Sequence, residues 1–372
     1  MAQKSVLTDV QHPLALSSFQ NWLQLLWQNR GVERAYLARA ASVTTLSLLT
    51  SPLRWYEHLR YDAAVAQFTP AAPPIFVIGH WRSGTTYLHN LLCQDAQFGY
   101  ISTLQSMAPE VMFVGHDALH RLFGGRAPTK RPMDNMLVSI DTPQEEEMAL
   151  ASQSLYSTYH QWWFPRHATH YFERYALQEG ISRRDARRWA ELYQRLVQKL
   201  TVRNNGRRIV LKNPSNTGRI RALLEAFPGA KFIHIYRNPY DVFVSTQHLY
   251  RKTLPSIQLE SISEAEINDN ILQFYRALMC KYLRERALIP AGDLVEVRFE
   301  DLERDPLDEM RRVYQTLDLP GWAAAEPAMR DYIGTLSDYQ KNTFMFAPDL
   351  IAKVNQHWRF AFERWDYPLL SA

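Results

Sequence analysis

Two patterns of apolar and polar positions alternate along this chain. Short apolar runs bounded by Pro or Gly read as buried parallel strands. They are Ile75-Phe76-Val77-Ile78 before Gly79, Ile209-Val210-Leu211, Phe232-Ile233-His234-Ile235-Tyr236 and Leu294-Val295-Glu296-Val297-Arg298-Phe299. Between them, apolar residues recur at helical spacing over 83–92, 183–203, 218–227, 239–250 and 264–287. Strands and helices in alternation predict an α/β fold, a three-layer α/β/α sandwich around a central, mainly parallel sheet. Residues from about 15 to 68 read as two or three amphipathic helices, with Trp22, Leu25, Leu26 and Trp27 at helical spacing. Ala71-Ala72-Pro73-Pro74 stops them. The expected organisation is an N-terminal helical extension over 1–70 packed on one α/β domain over 71–372. Helical stretches at 104–122 and 145–159 belong to an insertion over about 104–204 that covers the strand ends. In such sheets the ligand crevice lies outside the carboxyl ends of the strands.

Of 372 residues, 46% are hydrophobic and 22% charged, which excludes disorder and fibrous repeats as the main state. Lys and Arg number 42 against 38 Asp and Glu, a net charge of +4. That is too mild for a nucleic-acid partner, but it fits a polyanionic small ligand held in one basic pocket. Two cysteines, Cys93 and Cys280, exclude a disulfide framework and a four-ligand zinc site, and point to a reducing, cytoplasmic compartment. The N-terminus lacks the basic and apolar regions of a signal peptide. No window reaches the roughly 18 uninterrupted apolar residues of a spanning helix. Residues 35–53 come nearest and are broken by Arg39 and several Ser and Thr. Ten Trp and nineteen Tyr leave room for peripheral contact with a membrane.

The strongest local signal is Gly79-His80-Trp81-Arg82-Ser83-Gly84-Thr85-Thr86, between the first strand and a helix. Its G-x-x-x-x-G spacing is the frame of a P-loop. Such a turn aims backbone N–H groups and the positive helix end at a phosphate, and Ser83, Thr85 and Thr86 add hydroxyl donors. A nucleoside-triphosphate loop carries Lys after the second Gly, where this chain has Thr85. The cation sits inside the loop instead, at Arg82.

A second signal is Tyr236-Arg237-Asn238-Pro239-Tyr240-Asp241-Val242-Phe243-Val244-Ser245. Arg237 ends a buried strand, where its charge needs an anion, either a ligand phosphate or Asp241. Asn238 caps and Pro239 opens the next helix, and Asp241 and Ser245 share one helix face. Arg237 and Ser245 converge on a second phosphate, separate from the first. Two anion sites on one sheet edge suggest a nucleotide phosphorylated at both 5′ and 3′.

With these motifs the sequence resembles the sulfotransferase superfamily, whose donor is 3′-phosphoadenosine 5′-phosphosulfate (PAPS) and whose nucleotide product is PAP. Arg82–Thr86 matches the family's [KR]-S-G-T-T loop. Arg237–Ser245 matches R-[ND]-P-x-[DE]-x-x-x-S. Phe299-Glu300-Asp301-Leu302 is similar to a Y-E-D-L segment. The likeness runs from about residue 74 to 305 and is greatest to the bacterial-type group with P-x-E-[DE]-E and K-x-P segments. It implies a P-loop-type fold, sulfuryl transfer from PAPS to a hydroxyl or amine, and no metal, since Arg, Lys and helix dipoles meet the donor's charge. Arg82, Ser83, Gly84, Thr85 and Thr86 would hold the 5′ end, and Arg237 and Ser245 the 3′-phosphate. Tyr87 stands where cytosolic relatives have a Trp that stacks on adenine, and either stacks or packs its helix. Lys341, in Tyr339-Gln340-Lys341-Asn342, would close over the nucleotide or remain an exposed loop lysine.

By the same resemblance Arg82 is the catalytic cation, and Lys212, ending the second strand, contacts the transferred group. The base is harder to read. Relatives have His after K-x-P-x, but here that position is Asn216. Glu145 and Glu147 in Asp141-Thr142-Pro143-Gln144-Glu145-Glu146-Glu147 match P-x-E-[DE]-E, with Glu145 as base and Glu147 in support. Glu146 is expected to point elsewhere. Adjacent carboxylates raise at least one pKa, although an acidic first helical turn is stabilising in its own right. His80 and His89 are alternatives beside the loop. Aromatic density at 156–164, with Met107, Met112 and Phe113, favours an apolar or lipid-like acceptor over carbohydrate, or else forms core. Competing readings are a P-loop kinase or NTPase and a non-catalytic bisphosphonucleotide-binding homologue.

Overall fold

The computed structural model describes residues 12–123, 129–131, 134, 136–336 and 344–371. The chain divides into two compact units. One comprises residues 1–70, 101–206 and 250–263, the other 71–100, 207–249 and 264–372. Among the described residues seven strands form. They are β1 (Ile75–Ile78), β2 (Phe98–Gly99), β3 (Thr129–Lys130), β4 (Leu137–Val138), β5 (Arg208–Lys212), β6 (Lys231–Tyr236) and β7 (Leu294–Arg298).

The second unit holds the expected sheet, in the order β2-β5-β1-β6-β7, with every pair parallel. All four residues of β1 are fully buried, as a central parallel strand covered on both faces requires. Its side chains alternate between the faces. Ile75 and Val77 join Val210, Ile233, Ile235, Val295 and Val297 in a core under helices Thr85–Leu92 and Pro306–Thr316. On the opposite face Phe76 meets Phe227, just past helix Ile220–Ala226, with ring centres 5.7 Å apart. His234 stacks there on Tyr282 of helix Glu264–Glu285 at 3.8 Å. The fold is thus the three-layer sandwich the pattern predicts. β1 lies between β5 and β6, so the chain crosses from one side of it to the other, and the crevice of a doubly wound sheet opens at its carboxyl end.

Among its described residues the first unit is mainly helical, with the two-residue ladder of β3 and β4 and an isolated bridge between Ser102 and Pro143. Helix Arg183–Arg203 spans the full predicted stretch and is capped by Ser182, whose side chain accepts the Asp185 N–H. The stretch at 104–122 is not one helix. It breaks into Thr103–Met107, a turn at Pro109–Val111 and His116–Phe123. Pro109 lacks the N–H a continuous helix needs, and Ala108 before it lies outside helical geometry. The stretch at 145–159 holds only helix Glu147–Gln153. Trp162, Trp163 and Phe164 are buried, with Trp162 4.3 Å from the Tyr250 ring. Those three are core in this unit, while Tyr156 and Tyr159 at the start of the run are partly exposed.

Candidate active site

Three parallel strands deliver the predicted cations to one edge of the sheet. β1 runs into the loop 79–84, β5 ends on Lys212, and β6 stops one residue before Arg237. The loop is shaped by close approach. A Cβ on Gly79 would lie 2.3 Å from the Ile235 carbonyl oxygen, and one on Gly84 would lie 2.2 Å from Phe299 Cδ2. Gly84, with φ +94°, caps helix Thr85–Leu92. Thr217 clasps the loop from the turn after β5. Its hydroxyl accepts the Gly79 N–H at 2.7 Å and donates to the Gly79 carbonyl at 3.0 Å.

Arg82 adopts φ +69°, in the left-handed region that non-glycine residues seldom occupy. Its Nε donates to Ser245 Oγ at 2.9 Å, joining the two motifs. Arg237 Nη1 reaches the Arg82 carbonyl at 3.4 Å, and its Nη2 lies 3.8 Å from Asp241 Oδ2. The Arg237 guanidinium rests over the Phe299 ring at 4.5 Å. Its Nε is buried without a hydrogen-bond partner among the described residues. A buried cationic donor in that state is costly unless an anion meets it. Lys212 is buried, and its Nζ lies 3.4 Å from Thr86 Oγ1. Ser83 and Thr85 are buried, while Thr86 is half-buried. Tyr87 is partly buried against the core cluster, and desolvation pushes its phenol up to about 12.

Both histidines beside the loop are buried. His80 is buried, with its pKa lowered by desolvation to about 4, and its Nδ1 lies 2.8 Å from the Trp81 carbonyl. His89 falls to about 3 through burial and the charge of Lys212. Asn216 is also fully buried, with its Oδ1 accepting from Arg219 at 3.1 Å. Lys341 lies outside the described residues. Cys93 and Cys280 are free thiols.

The acidic run belongs to the other unit and has an internal order of its own. Glu147 is fully buried, and its Oε1 accepts the Ser157 hydroxyl at 2.8 Å and the Thr158 N–H at 2.7 Å. Those bonds fix the segment carrying Tyr159, whose hydroxyl donates to Glu145. Glu145 alone of the three is partly exposed. Glu146 is fully buried and takes a hydrogen bond from Tyr193. Burial, reinforced by its two acidic neighbours, raises its pKa to about 7. The elevated carboxyl is thus the inward-facing one.

Sequence reasoning missed Thr217, which fixes the loop backbone, and Glu300, whose Oε1 accepts the Asn238 N–H at 3.1 Å behind Arg237. Each sits beside a recognised motif, in Asn213-Pro214-Ser215-Asn216-Thr217 and Phe299-Glu300-Asp301-Leu302. Adjacency was the one available signal.

A glycine-cornered loop at a parallel strand end is thus bonded to the Arg…Ser helix start on the neighbouring strand. Residues 73–324 match the model of the sulfotransferase family, and the chain belongs to that family. It is 34% identical over 355 residues to omega-hydroxy-beta-dihydromenaquinone-9 sulfotransferase Stf3 of Mycobacterium bovis, covering 94% of this chain and 90% of that one. The Mycobacterium tuberculosis protein of the same name matches equally. Sulfotransferase STF9 from Mycobacterium avium superposes with a TM-score of 0.67 at 19% identity, over 96% of this chain and 98% of that one. STF1 from Mycobacterium tuberculosis gives 0.62, also at 19%, over 87% and 88%. These two crystal structures share the fold.

Proposed function

We propose that this sulfotransferase moves the sulfuryl group of PAPS to a hydroxyl of a lipid-like acceptor and leaves PAP. The observation that carries the donor assignment is the Arg82–Ser245 bond with the buried Nε of Arg237 beside it. One sheet edge thereby offers two linked anion sites. Ser83, Gly84, Thr85 and Thr86 would hold the 5′-phosphosulfate, and Arg237 and Ser245 the 3′-phosphate. Tyr87, at the edge of the core, would border the adenine side. Thr85 stands where a nucleoside-triphosphate loop has its lysine, so a kinase reading lacks its main contact.

PAPS supplies the activated sulfuryl group, and the chain's own residues do the rest. Arg82 and Lys212 stabilise negative charge on the bridging oxygen as the sulfur–oxygen bond breaks. Glu145 removes the proton of the acceptor hydroxyl as its oxygen bonds to sulfur. Glu147 positions it by anchoring the Tyr159 segment. By this reading no metal is required, because guanidinium, ammonium and helix-end N–H groups meet the donor's charge. The name of the 34%-identical relatives supports a hydroxylated lipid as acceptor class. The two free thiols fit a cytoplasmic setting.

The deciding experiment titrates adenosine 3′,5′-bisphosphate with EDTA against ATP with magnesium. Metal-independent bisphosphate binding is expected, followed by sulfuryl transfer from PAPS to an apolar prenyl alcohol. Binding of Mg·ATP alone would overturn the donor assignment. Transfer to sugars with none to apolar alcohols would overturn the acceptor class.

A further inference from the structure

Helices Leu37–Leu49 and Ser51–Gln67 bury the charged Arg39, Arg54 and Glu57 while most of their large apolar side chains face outward. Arg39 is fully buried and donates to the Gln258 carbonyl at 2.6 Å and the Pro255 carbonyl at 3.3 Å. Arg54 is buried on Thr50 Oγ1 at 2.7 Å and Ser51 Oγ at 3.0 Å. Glu57 is buried, takes Lys199 Nζ at 2.6 Å and accepts the N–H groups of Met112, Phe113 and Val114. The solvent side is the reverse. Leu49 is 70% exposed, Trp55 67%, Leu59 62% and Tyr56 53%, with Leu53 and Leu48 also exposed. From Ala35 to Tyr56 the exposed residues include no charged side chain. Within the second helix Leu53 and Tyr56, and Trp55 and Leu59, recur at three- and four-residue spacing and share its outer side. Water-facing helices have the opposite arrangement.

The exposed charges carried by this stretch itself have one sign. Among the described residues through Gln67, the exposed ionic side chains are Arg30, Arg34 and Arg60, with His58 beside them. The acidic residues of the stretch are engaged or buried: Glu33 with Ser261 and Arg166, Glu57 as above, and Asp62 with Arg195. No helix among the described residues is long and apolar enough to cross a membrane. A helix of 13 residues reaches only about 20 Å, against a hydrocarbon core of about 30 Å.

We infer that this face rests on an anionic lipid bilayer. Leu49, Leu53 and Leu59 enter the acyl boundary, Trp55 and Tyr56 sit at headgroup level, and Arg30, Arg34 and Arg60 meet lipid phosphates. The exposed arginines of this stretch repel their own copies across a two-fold axis but are attracted to an anionic surface, so their charge favours lipid over a second chain. The inference stands independently of the donor and acceptor assignments, because it is tested with neither present.

The test is co-sedimentation of the full chain with phosphatidylcholine vesicles, with and without phosphatidylglycerol, alongside sedimentation velocity. Wild type should pellet with the anionic vesicles. Leu49→Glu with Leu59→Glu should reduce partition at least tenfold. Replacing Arg30, Arg34 or Arg60 with Gln should reduce it by about fivefold each, only where phosphatidylglycerol is present. These positions are exposed, so circular dichroism and the melting temperature should stay unchanged and exclude misfolding. Equal partition of wild type and the double-Glu variant would overturn the inference. So would a wild-type dimer that ignores vesicles and that the same substitutions dissociate, since the face would then join two copies.

Discussion

Arg82 Nε donates to Ser245 Oγ at 2.9 Å, tying the loop after β1 to the helix after β6. On the proposed donor assignment the contact makes the two motifs one device, because the side chain assigned to the 5′ end of the nucleotide is oriented by a hydroxyl assigned to the 3′ site. Arg237 adds a second tie through the Arg82 carbonyl. On that assignment, donor binding at one end would preorganise the cation at the other.

Arg82→Ala should lower kcat by about 10²–10³-fold, the usual cost of removing a preorganised charge-stabilising donor. Arg82→Lys should recover part of that loss, keeping the charge but losing the planar fork that reaches Ser245. Single-turnover transfer from PAPS measures both.

Arg237→Ala should weaken adenosine 3′,5′-bisphosphate binding by about 10–100-fold, as expected for losing hydrogen bonds to a charged group. Calorimetric titration with EDTA present reads it directly. Unchanged affinity would remove Arg237 from the nucleotide site.

Gly84→Ala should destabilise the fold by about 1–3 kcal/mol, since its new methyl would meet the Phe299 ring in a left-handed backbone conformation. Adding Phe299→Ala should remove the collision but not the backbone strain. The paired melting curves would show partial rescue, and full rescue would mean that strain is negligible at this position.

Glu146 gives a stability signature with a defined sign. Its folded pKa of about 7 exceeds its ordinary value of 4.5 because it is buried. The native state therefore keeps a proton that the unfolded chain releases. The stabilisation is complete below pH 4.5 and is lost as pH rises through 7. Glu146→Gln should melt near wild type at pH 4 and above it at pH 8. A constant difference across that range would show that the carboxyl does not titrate this way.

Glu145→Gln should reduce transfer by about 10²–10⁴-fold, the usual contribution of a general base, with bisphosphate affinity retained. Glu147→Gln should act more weakly and also lower the melting temperature, because it loosens Ser157 and Thr158.

Strands β1, β5, β6 and β7 and both motifs were legible in the sequence for one reason, whereas the two-residue β2, β3 and β4 carry no apolar run and were not. A doubly covered parallel strand is a short apolar run, and the turn that follows it must carry Gly and a capping residue. The predicted α/β sandwich follows from those runs alone. Three features were not legible. The left-handed backbone of Arg82 arises from tertiary ties to Ser245 and Arg237, and nothing in its neighbours' identities announces it. The raised pKa of Glu146 comes from desolvation in the folded core, which outweighs the lowering effect of its hydrogen bond from Tyr193, whereas like-charge repulsion by itself could not choose among three adjacent glutamates. The aromatic run at 156–164 reads equally as cleft or core, and its burial decided the matter for Trp162 and Trp163.

The strand order has a temporal consequence. β1 and β2 are synthesised early, yet each finds its first sheet neighbour only in β5, and β1 finds its other neighbour in β6. The ribosome must therefore add the long intervening segment before Gly79 can be clasped by Thr217 or Arg82 can meet Ser245. Until then β1 is an unpaired apolar segment, the kind that chaperones hold and that aggregates when left exposed. The nucleotide loop is among the first functional segments to be translated and among the last to acquire its shape. A truncation between residues 87 and 244 would thus yield a chain that contains the whole loop yet lacks the Ser245 partner of Arg82.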